Sequence, residues 1–297
     1  MKEAKTCPIT GTTNTQEVFQ VKDFTVTGEF FSVYQTKGFK YRFTHSVPSP
    51  DEIGRYYESE DYVSHSEKKV GLINRLFHWA RLYTMWYKKR AVQKNTRKKE
   101  GNLLDYGCGT GDFLLTMKRA GWQVSGYEPD QKAASVAEEK SHSSISCELS
   151  SFSGKQSQYD AITLWHVLEH AYEPSETIEE LLKLLKPGGI LFFALPNYDS
   201  PDAEYYQEFW AGYDVPRHIH HFTPESFQYL AQKSNLTVAR LQRMHLDGFY
   251  VSLLSEKYMG KKGSTLRAVW MGLKSWLISL MKKQRGSSVL YVCRRAH

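Results

Sequence analysis

The chain has 297 residues, 41% hydrophobic and 14% aromatic, enough to bury a full core and too apolar for a disordered or fibrous chain. Lys and Arg outnumber Asp and Glu by 39 to 32, a formal net charge of +7. No apolar run approaches the length of ~18 that marks a membrane span. Four scattered cysteines (Cys7, Cys108, Cys147, Cys293) and the lack of a basic-then-apolar leader predict free thiols and a cytoplasmic location.

Residues 1–48 predict a small β module, with strands at Glu17–Val21, Thr25–Tyr34 and Phe39–Thr44. Residues 49–99 predict a helical linker or lid. Ser49-Pro50-Asp51 opens a short helix, and Val70, Ile73, Phe77, Ala80, Tyr83 and Tyr87 then recur at helical spacing. Lys88–Lys99 holds seven basic residues and no acid, a face suited to solvent or to an anionic partner. Residues 100–297 alternate strand and helix. Leu103-Leu104-Asp105 is a strand that enters Gly107, Gly109 and Gly111, and a helix follows at Phe113. Gln123–Tyr127 is a second strand ending in Glu128, and Asp130 caps the helix Gln131–Lys140. Tyr159–His170 and Ile190–Leu195 are two further apolar segments, the latter entered through Pro187-Gly188-Gly189. Thr223-Pro224 starts a helix, and strands at Leu236–Met244 and Ser287–Arg294 bracket an insertion at about 247–286.

The glycine spacing is diagnostic. A dinucleotide-binding turn reads G-x-G-x-x-G and would place glycine at Asp112, whereas here the third glycine comes early, at Gly111. A carboxylate at Asp105 would repel a pyrophosphate and suits a cationic amino-acid group. This pattern resembles motif I of the class I S-adenosylmethionine-dependent methyltransferases. The second strand with its acid, the strand and loop Tyr159–His170, and Leu181–Leu195 match further motifs of that family in order. The resemblance implies an α/β, Rossmann-like seven-stranded sheet with a small N-terminal β/α extension and a helical insertion before the last strand. It implies S-adenosyl-L-methionine as cofactor. Asp105, Gly107, Cys108, Gly109 and Gly111 would hold its methionine part, and Glu128 both ribose hydroxyls. Pro129, Asp130 and Leu149 would border the adenine, with Trp165 and His166 beside the sulfonium. The N-terminal module resembles the zinc-ribbon-like piece that precedes some bacterial members. Cys7 survives from its cysteine pairs, but Thr10, Tyr34 and Lys37 stand at the others. One thiol cannot hold a structural zinc, so a metal-free vestige is expected.

Acid–base chemistry needs groups that titrate near neutrality, and two histidine groups follow strand ends. His166 and His170 follow the fourth strand of the catalytic sheet, while His218, His220 and His221 follow the fifth. His166, His218 and His221 are the catalytic candidates, with His218 or His221 as base. The H-x-H at 218–220 has no carboxylate beside it in sequence, so no metal is expected. Tyr56, Tyr57 and Tyr62 are further substrate-side candidates. In the insertion, Leu266, Val269, Trp270, Leu273, Trp276, Leu277, Leu280 and Met281 form an apolar stripe beside Arg267, Lys274, Lys282 and Lys283. The stripe suits a lid over the substrate pocket. It also suits peripheral contact of helix 266–283 with an anionic membrane. The expected reaction is O-methylation of a small-molecule, glycan or lipid-linked acceptor. C-methylation of a sugar-like or polyketide-like acceptor and a non-catalytic binding partner are the alternatives. A nucleic-acid acceptor is disfavoured, since Leu195-Pro196-Asn197-Tyr198 lacks the N-P-P-Y sequence of base-modifying relatives.

Overall fold

Two sheets share the chain, and the segment joining them carries His218, His220 and His221. The computed structural model describes residues 5–58, 72–152, 154 and 156–296. Tyr62, His65 and Val70 lie outside the described residues, as do the side chains of Ile73 and Phe77.

The small sheet begins with β1 (Thr15–Lys22), β2 (Phe30–Thr36) and β3 (Arg42–His45), paired antiparallel. The expected strand over 25–34 starts late because the Asp23 carboxylate accepts the backbone N–H of Thr25 at 3.0 Å, Val26 at 3.3 Å and Thr27 at 2.9 Å. That folds residues 24–27 into an Asx-type turn. Cys7 is fully buried, and its Sγ accepts the Thr10 backbone N–H at 3.4 Å. Tyr34 stacks on Phe43 at 5.8 Å.

A short 3-10 turn, Ile53–Tyr57, is followed by α1 (Leu72–Thr96). The face of α1 that packs is sealed by Ala91 and Val92, with Met85 and Tyr87 against the core. Tyr83 is exposed, as are Trp79, Leu82 and Trp86, so this helix is less covered than its spacing predicts.

The large sheet is built from β4 (Asn102–Tyr106), α2 (Asp112–Arg119), β5 (Gln123–Tyr127), α3 (Gln131–Ser141), β6 (Ile145–Ser146), β7 (Tyr159–Trp165), α4 (Pro174–Leu184) and β8 (Leu185–Pro196). Then come α5 (Pro201–Tyr206), β9 (His220–His221), α6 (Pro224–Lys233), β10 (Leu236–Arg243), α7 (Asp247–Tyr258), α8 (Thr265–Met281) and β11 (Ser288–Arg295). Its strand order is β10-β11-β8-β7-β4-β5-β6, with only β11 antiparallel to its neighbours. This is the seven-stranded mixed sheet the sequence predicts. All seven residues of β7 are buried, as suits a central strand covered on both faces. The chain runs outward from β4 through β5 to β6, then returns to β7 on the other side of β4. That reversal opens a crevice at the carboxyl ends of β4 and β7.

β9 belongs to the small sheet, where Arg42 pairs with His221 and Phe43 with His220. The loop after β8 therefore completes the N-terminal sheet. Arg217 locks the joint. Its guanidinium lies 3.0 Å from Asp23 and 2.6 Å from Asp214, and it donates to the Tyr56 carbonyl oxygen at 2.7 Å.

The insertion forms α7 and α8, and α8 reverses the expected orientation. Its buried residues are Ala268, Met271, Gly272, Ser275 and Ser279. Leu266, Val269, Trp270, Leu277, Leu280 and Met281 are exposed. Close helix approach explains this, since a Cβ on Gly272 would lie 2.5 Å from the Phe249 ring of α7. Small residues take the inward face and the bulky stripe turns outward.

Candidate active site

β4 drives Leu103 and Leu104 into the core and ends with Asp105 at the crevice. Asp105 is 2% exposed, and its carboxylate accepts a hydrogen bond from the Thr163 hydroxyl at 2.6 Å. Burial, offset in part by that bond and by Lys88, pushes its pKa up to about 7. A buried carboxylate so poorly compensated is a place for a cationic group.

The glycine turn follows. The backbone N–H groups of Gly107 and Cys108 donate to the Tyr127 carbonyl oxygen at 2.8 and 3.0 Å, tying the turn to the end of β5. Gly107 has φ 77°, and an added Cβ would lie 2.5 Å from Val167 in the loop after β7. Gly109 has φ 53°, yet an added Cβ would meet nothing within 4 Å. The middle glycine thus faces open space, where a ligand can approach bare backbone. Gly111 ends the turn as N-cap of α2. Cys108 is buried with its thiol pKa pushed up by that burial, so it contributes backbone and packing to the turn.

Glu128 closes the other side. One carboxylate oxygen accepts the Gly109 N–H at 2.8 Å and the other accepts the Asp130 N–H at 3.1 Å. Burial raises its pKa. Each oxygen keeps a further lone pair for an outside hydroxyl. Asp130 is occupied as a cap, accepting the Ala133 N–H at 2.7 Å, so it and Pro129 shape the rim. Leu149 is half-buried at the start of a 3-10 turn, packed against the main core cluster. A buried acid short of a cation, an open glycine and a diol-facing carboxylate fit the amino, backbone-approach and ribose parts of S-adenosylmethionine.

At the end of β7, Trp165 is 8% exposed, and its Nε1 has no hydrogen-bond partner among the described residues. The Lys88 ammonium sits 4.6 Å from its ring centroid. His166 has φ 59°. Its Nε2 is 3.2 Å from an Asp247 carboxylate oxygen and its Nδ1 is 3.5 Å from Glu169. Burial opposes its charge, but these two carboxylates win and lift its pKa to about 9. His166 is therefore an imidazolium that donates to Asp247 and stands beside the Glu169 carboxylate without a hydrogen bond to it. It holds its proton at neutral pH, so the base expected among the histidines remains His218 or His221.

The other two histidines are not brought together. His221 is 3% exposed inside the small sheet, with its Nε2 2.9 Å from the Thr44 hydroxyl and its ring 4.9 Å from Tyr213. His218 instead meets the loop after β7, its ring 4.6 Å from that of His170. Tyr57 reaches the same place, 3.1 Å from His170 Nδ1, and Tyr56 is buried against Phe31. Glu169, Lys88 and Asp247 are site residues the sequence did not single out. Glu169 carried a signal, an acid wedged between Leu168 and His170. Lys88 was hidden in a basic run, and Asp247 sits where no motif points.

The methyltransferase domain family matches residues 76–241, more than half of the chain. A ubiquinone biosynthesis O-methyltransferase of Saccharophagus degradans is 33% identical over 113 residues, 36% of this chain and 48% of that protein. The chain spans about half the length of the curated relatives it matches. Among solved structures, magnesium protoporphyrin IX methyltransferase of Synechocystis superposes with a TM-score of 0.51 at 14% identity, over 78% of this chain and 90% of that one. The phosphoethanolamine N-methyltransferase 2 of Haemonchus contortus gives 0.51 at 15% identity, over 91% and 64%. At such identities these likenesses establish the fold.

Proposed function

The chain belongs to the methyltransferase domain family, and from that premise we propose that it moves a methyl group from S-adenosylmethionine to a hydroxyl oxygen of a small-molecule acceptor. The observation that carries this reading is the crevice itself, where Asp105, Gly109 and Glu128 line one mouth and the loops after β7 and β8 meet at the other. S-adenosylmethionine supplies a methyl already activated by a sulfonium. The protein has to hold the acceptor in line, and positioning of this kind can supply roughly 7–11 kcal/mol of a barrier. Asp105 and Glu128 bind and orient. The Trp165 and Lys88 pair walls the crevice beside β7. Of the two expected bases, we assign His218 to the acceptor side and leave His221 as a packed strand residue. The relatives named for ubiquinone biosynthesis favour oxygen over carbon as the methylated atom. We read the N-terminal sheet as a metal-free remnant of a zinc-ribbon-like module, and residues 49–99 as the element that joins it to the catalytic domain.

Radiolabelled S-adenosylmethionine incubated with hydroxylated aromatic, glycan and lipid-linked acceptors tests this. Transfer to oxygen, identified by mass spectrometry of the product, supports it. Transfer only to carbon or nitrogen overturns it.

A second reading concerns α8, because its bulky stripe points outward. Leu266 is 85% exposed, Trp270 64% and Met281 87%, with Lys261, Lys262, Lys274, Lys282 and Lys283 exposed on the same hairpin. No Asp or Glu occurs after Glu256. We propose that this face rests on an anionic lipid surface and brings the crevice to a lipid-linked acceptor. No described helix is long and apolar enough to cross a membrane, so the contact would be peripheral. Each cation near the surface adds about 1 kcal/mol. The protein should therefore co-sediment with phosphatidylglycerol vesicles at low salt and release at high salt. A Trp270→Glu, Leu277→Glu variant should stay in solution. Absence of binding at any ionic strength removes this reading.

A further inference from the structure

Three side chains at the acceptor end of the crevice form a constellation that the proposed methyl transfer does not by itself require. Glu169, His170 and His218 each offer a ligand atom, and those atoms lie within 4.8 Å of one another. No carboxylate stands beside the H-x-H histidines along the chain, and the fold supplies one from the loop after β7.

The hydrogen bonds around the constellation set its chemistry. His218 Nδ1 lies 2.9 Å from the Gly212 carbonyl oxygen. His170 Nδ1 lies 3.0 Å from the Arg217 carbonyl oxygen. A carbonyl only accepts, so both Nδ1 atoms carry the proton and both Nε2 atoms keep a lone pair. Metal-binding histidines are oriented by this device, one ring nitrogen pinned by a backbone acceptor and the other left to ligate. The third member is a second, separate sign. Glu169 is fully buried, and neither of its oxygens receives a hydrogen bond among the described residues. Among the described residues its ion-pair partner is His166 Nδ1 at 3.5 Å. A buried carboxylate left so short of donors is costly unless something else binds it.

We propose that Glu169, His170 Nε2 and His218 Nε2 bind one divalent transition-metal ion, with Zn2+ the best match. Two imidazoles and a carboxylate suit zinc and its neighbours better than the oxygen-seeking Mg2+ and Ca2+. Ligand atoms around such an ion stand roughly 3.3 Å apart, since each bond is about 2.0–2.1 Å. Three protein ligands would leave a further coordination position for a water or substrate oxygen, as in catalytic sites. The ion would lower the pKa of a hydroxyl bound there. That link to the acceptor rests on the methyl-transfer reading, whereas the binding of the ion does not.

The test uses the full chain stripped with chelator. Zn2+ is titrated by calorimetry with stoichiometry checked by elemental analysis, and Co2+ is added as a spectroscopic substitute. The wild type should take up one ion per chain. Co2+ should give a visible band of a four- or five-coordinate site with no thiolate charge-transfer band. Glu169→Gln and His218→Gln should each weaken binding at least tenfold, while both still bind S-adenosylhomocysteine, which reports that they are folded. If the two variants fail to fold, His170→Gln gives the same comparison, and the wild-type Co2+ spectrum decides by itself. No uptake by the stripped wild type, equal uptake by the variants, or a thiolate band would overturn the site. Loss of S-adenosylhomocysteine binding in the wild type would sink the methyl-transfer reading and leave the metal result standing.

Discussion

Asp105→Asn raises the melting temperature of the ligand-free protein and weakens its grip on S-adenosylmethionine. The two effects have one cause. Asp105 is an acid whose pKa rises from an ordinary 3.8 to about 7 on folding, chiefly through burial. An acid raised in this way costs stability above its unfolded pKa, and the cost is complete above its folded pKa. It vanishes as the pH falls through 7 toward 4, where both states are protonated. At pH 7.5 removing the charge should relieve on the order of 2–4 kcal/mol, at about 1.4 kcal/mol per pKa unit. Asn can still accept the Thr163 hydroxyl hydrogen bond, so the relief is not spent on a new orphan. The same change removes the partner of the ligand's ammonium group, and affinity should fall about 10–100-fold, the worth of a charged hydrogen bond. Wild-type affinity should weaken as the pH drops from 8 to 6. Scanning calorimetry with and without ligand checks both halves. A variant less stable than wild type in the ligand-free state, or one with unchanged affinity, contradicts this role for Asp105.

Arg217→Met costs the fold far more than a surface substitution would. Arg217 is 2% exposed and Asp23, its partner across the domain joint, is 1% exposed. Removing the guanidinium leaves the Asp23 carboxylate buried beside Asp214 with no cation between them. Breaking one half of a buried pair costs roughly 3–5 kcal/mol, where an exposed pair costs less than about 1. For a chain of this size a loss of that kind lowers the melting temperature by roughly 10 °C. Arg217→Lys keeps the charge but loses the fork that reaches Asp23, Asp214 and the Tyr56 carbonyl together, so it should fall between. Limited proteolysis should open the N-terminal sheet first, since β3 meets β9 through only two residue pairs. A melting temperature within about 2 °C of wild type would mean that the joint is held elsewhere.

The proposed cofactor half of the crevice is legible in the sequence because its residues are local. A strand, a glycine turn and a helix cap fall within ten residues at 103–112, and Glu128 follows at the next strand end. The acceptor half is not. His218 and Glu169 are 49 residues apart and meet only because β9 crosses to the N-terminal sheet, a pairing of two residues that no periodicity announces. His166 sits on a recognisable loop, but its charge depends on Asp247, placed beside it by the insertion. α8 misled for a different reason. An apolar stripe at helical spacing is ordinarily the buried face, and here Ala268, Gly272, Ser275 and Ser279 claim the inward side because α7 approaches too closely for anything larger. The small residues at that same spacing were the signal.

The central claim is that Glu128 and the glycine turn bind S-adenosylmethionine, and calorimetric titration of wild type and Glu128→Ala with S-adenosylmethionine and S-adenosylhomocysteine tests it most directly. Glu128 tethers Gly109 and Asp130 and keeps lone pairs for two ribose hydroxyls, each such charged bond being worth about 1.5–3 kcal/mol. Binding by the wild type, reduced on the order of 100-fold or more in the variant, is the predicted result. A wild type that binds neither compound, or a variant that binds both as tightly, would contradict the account.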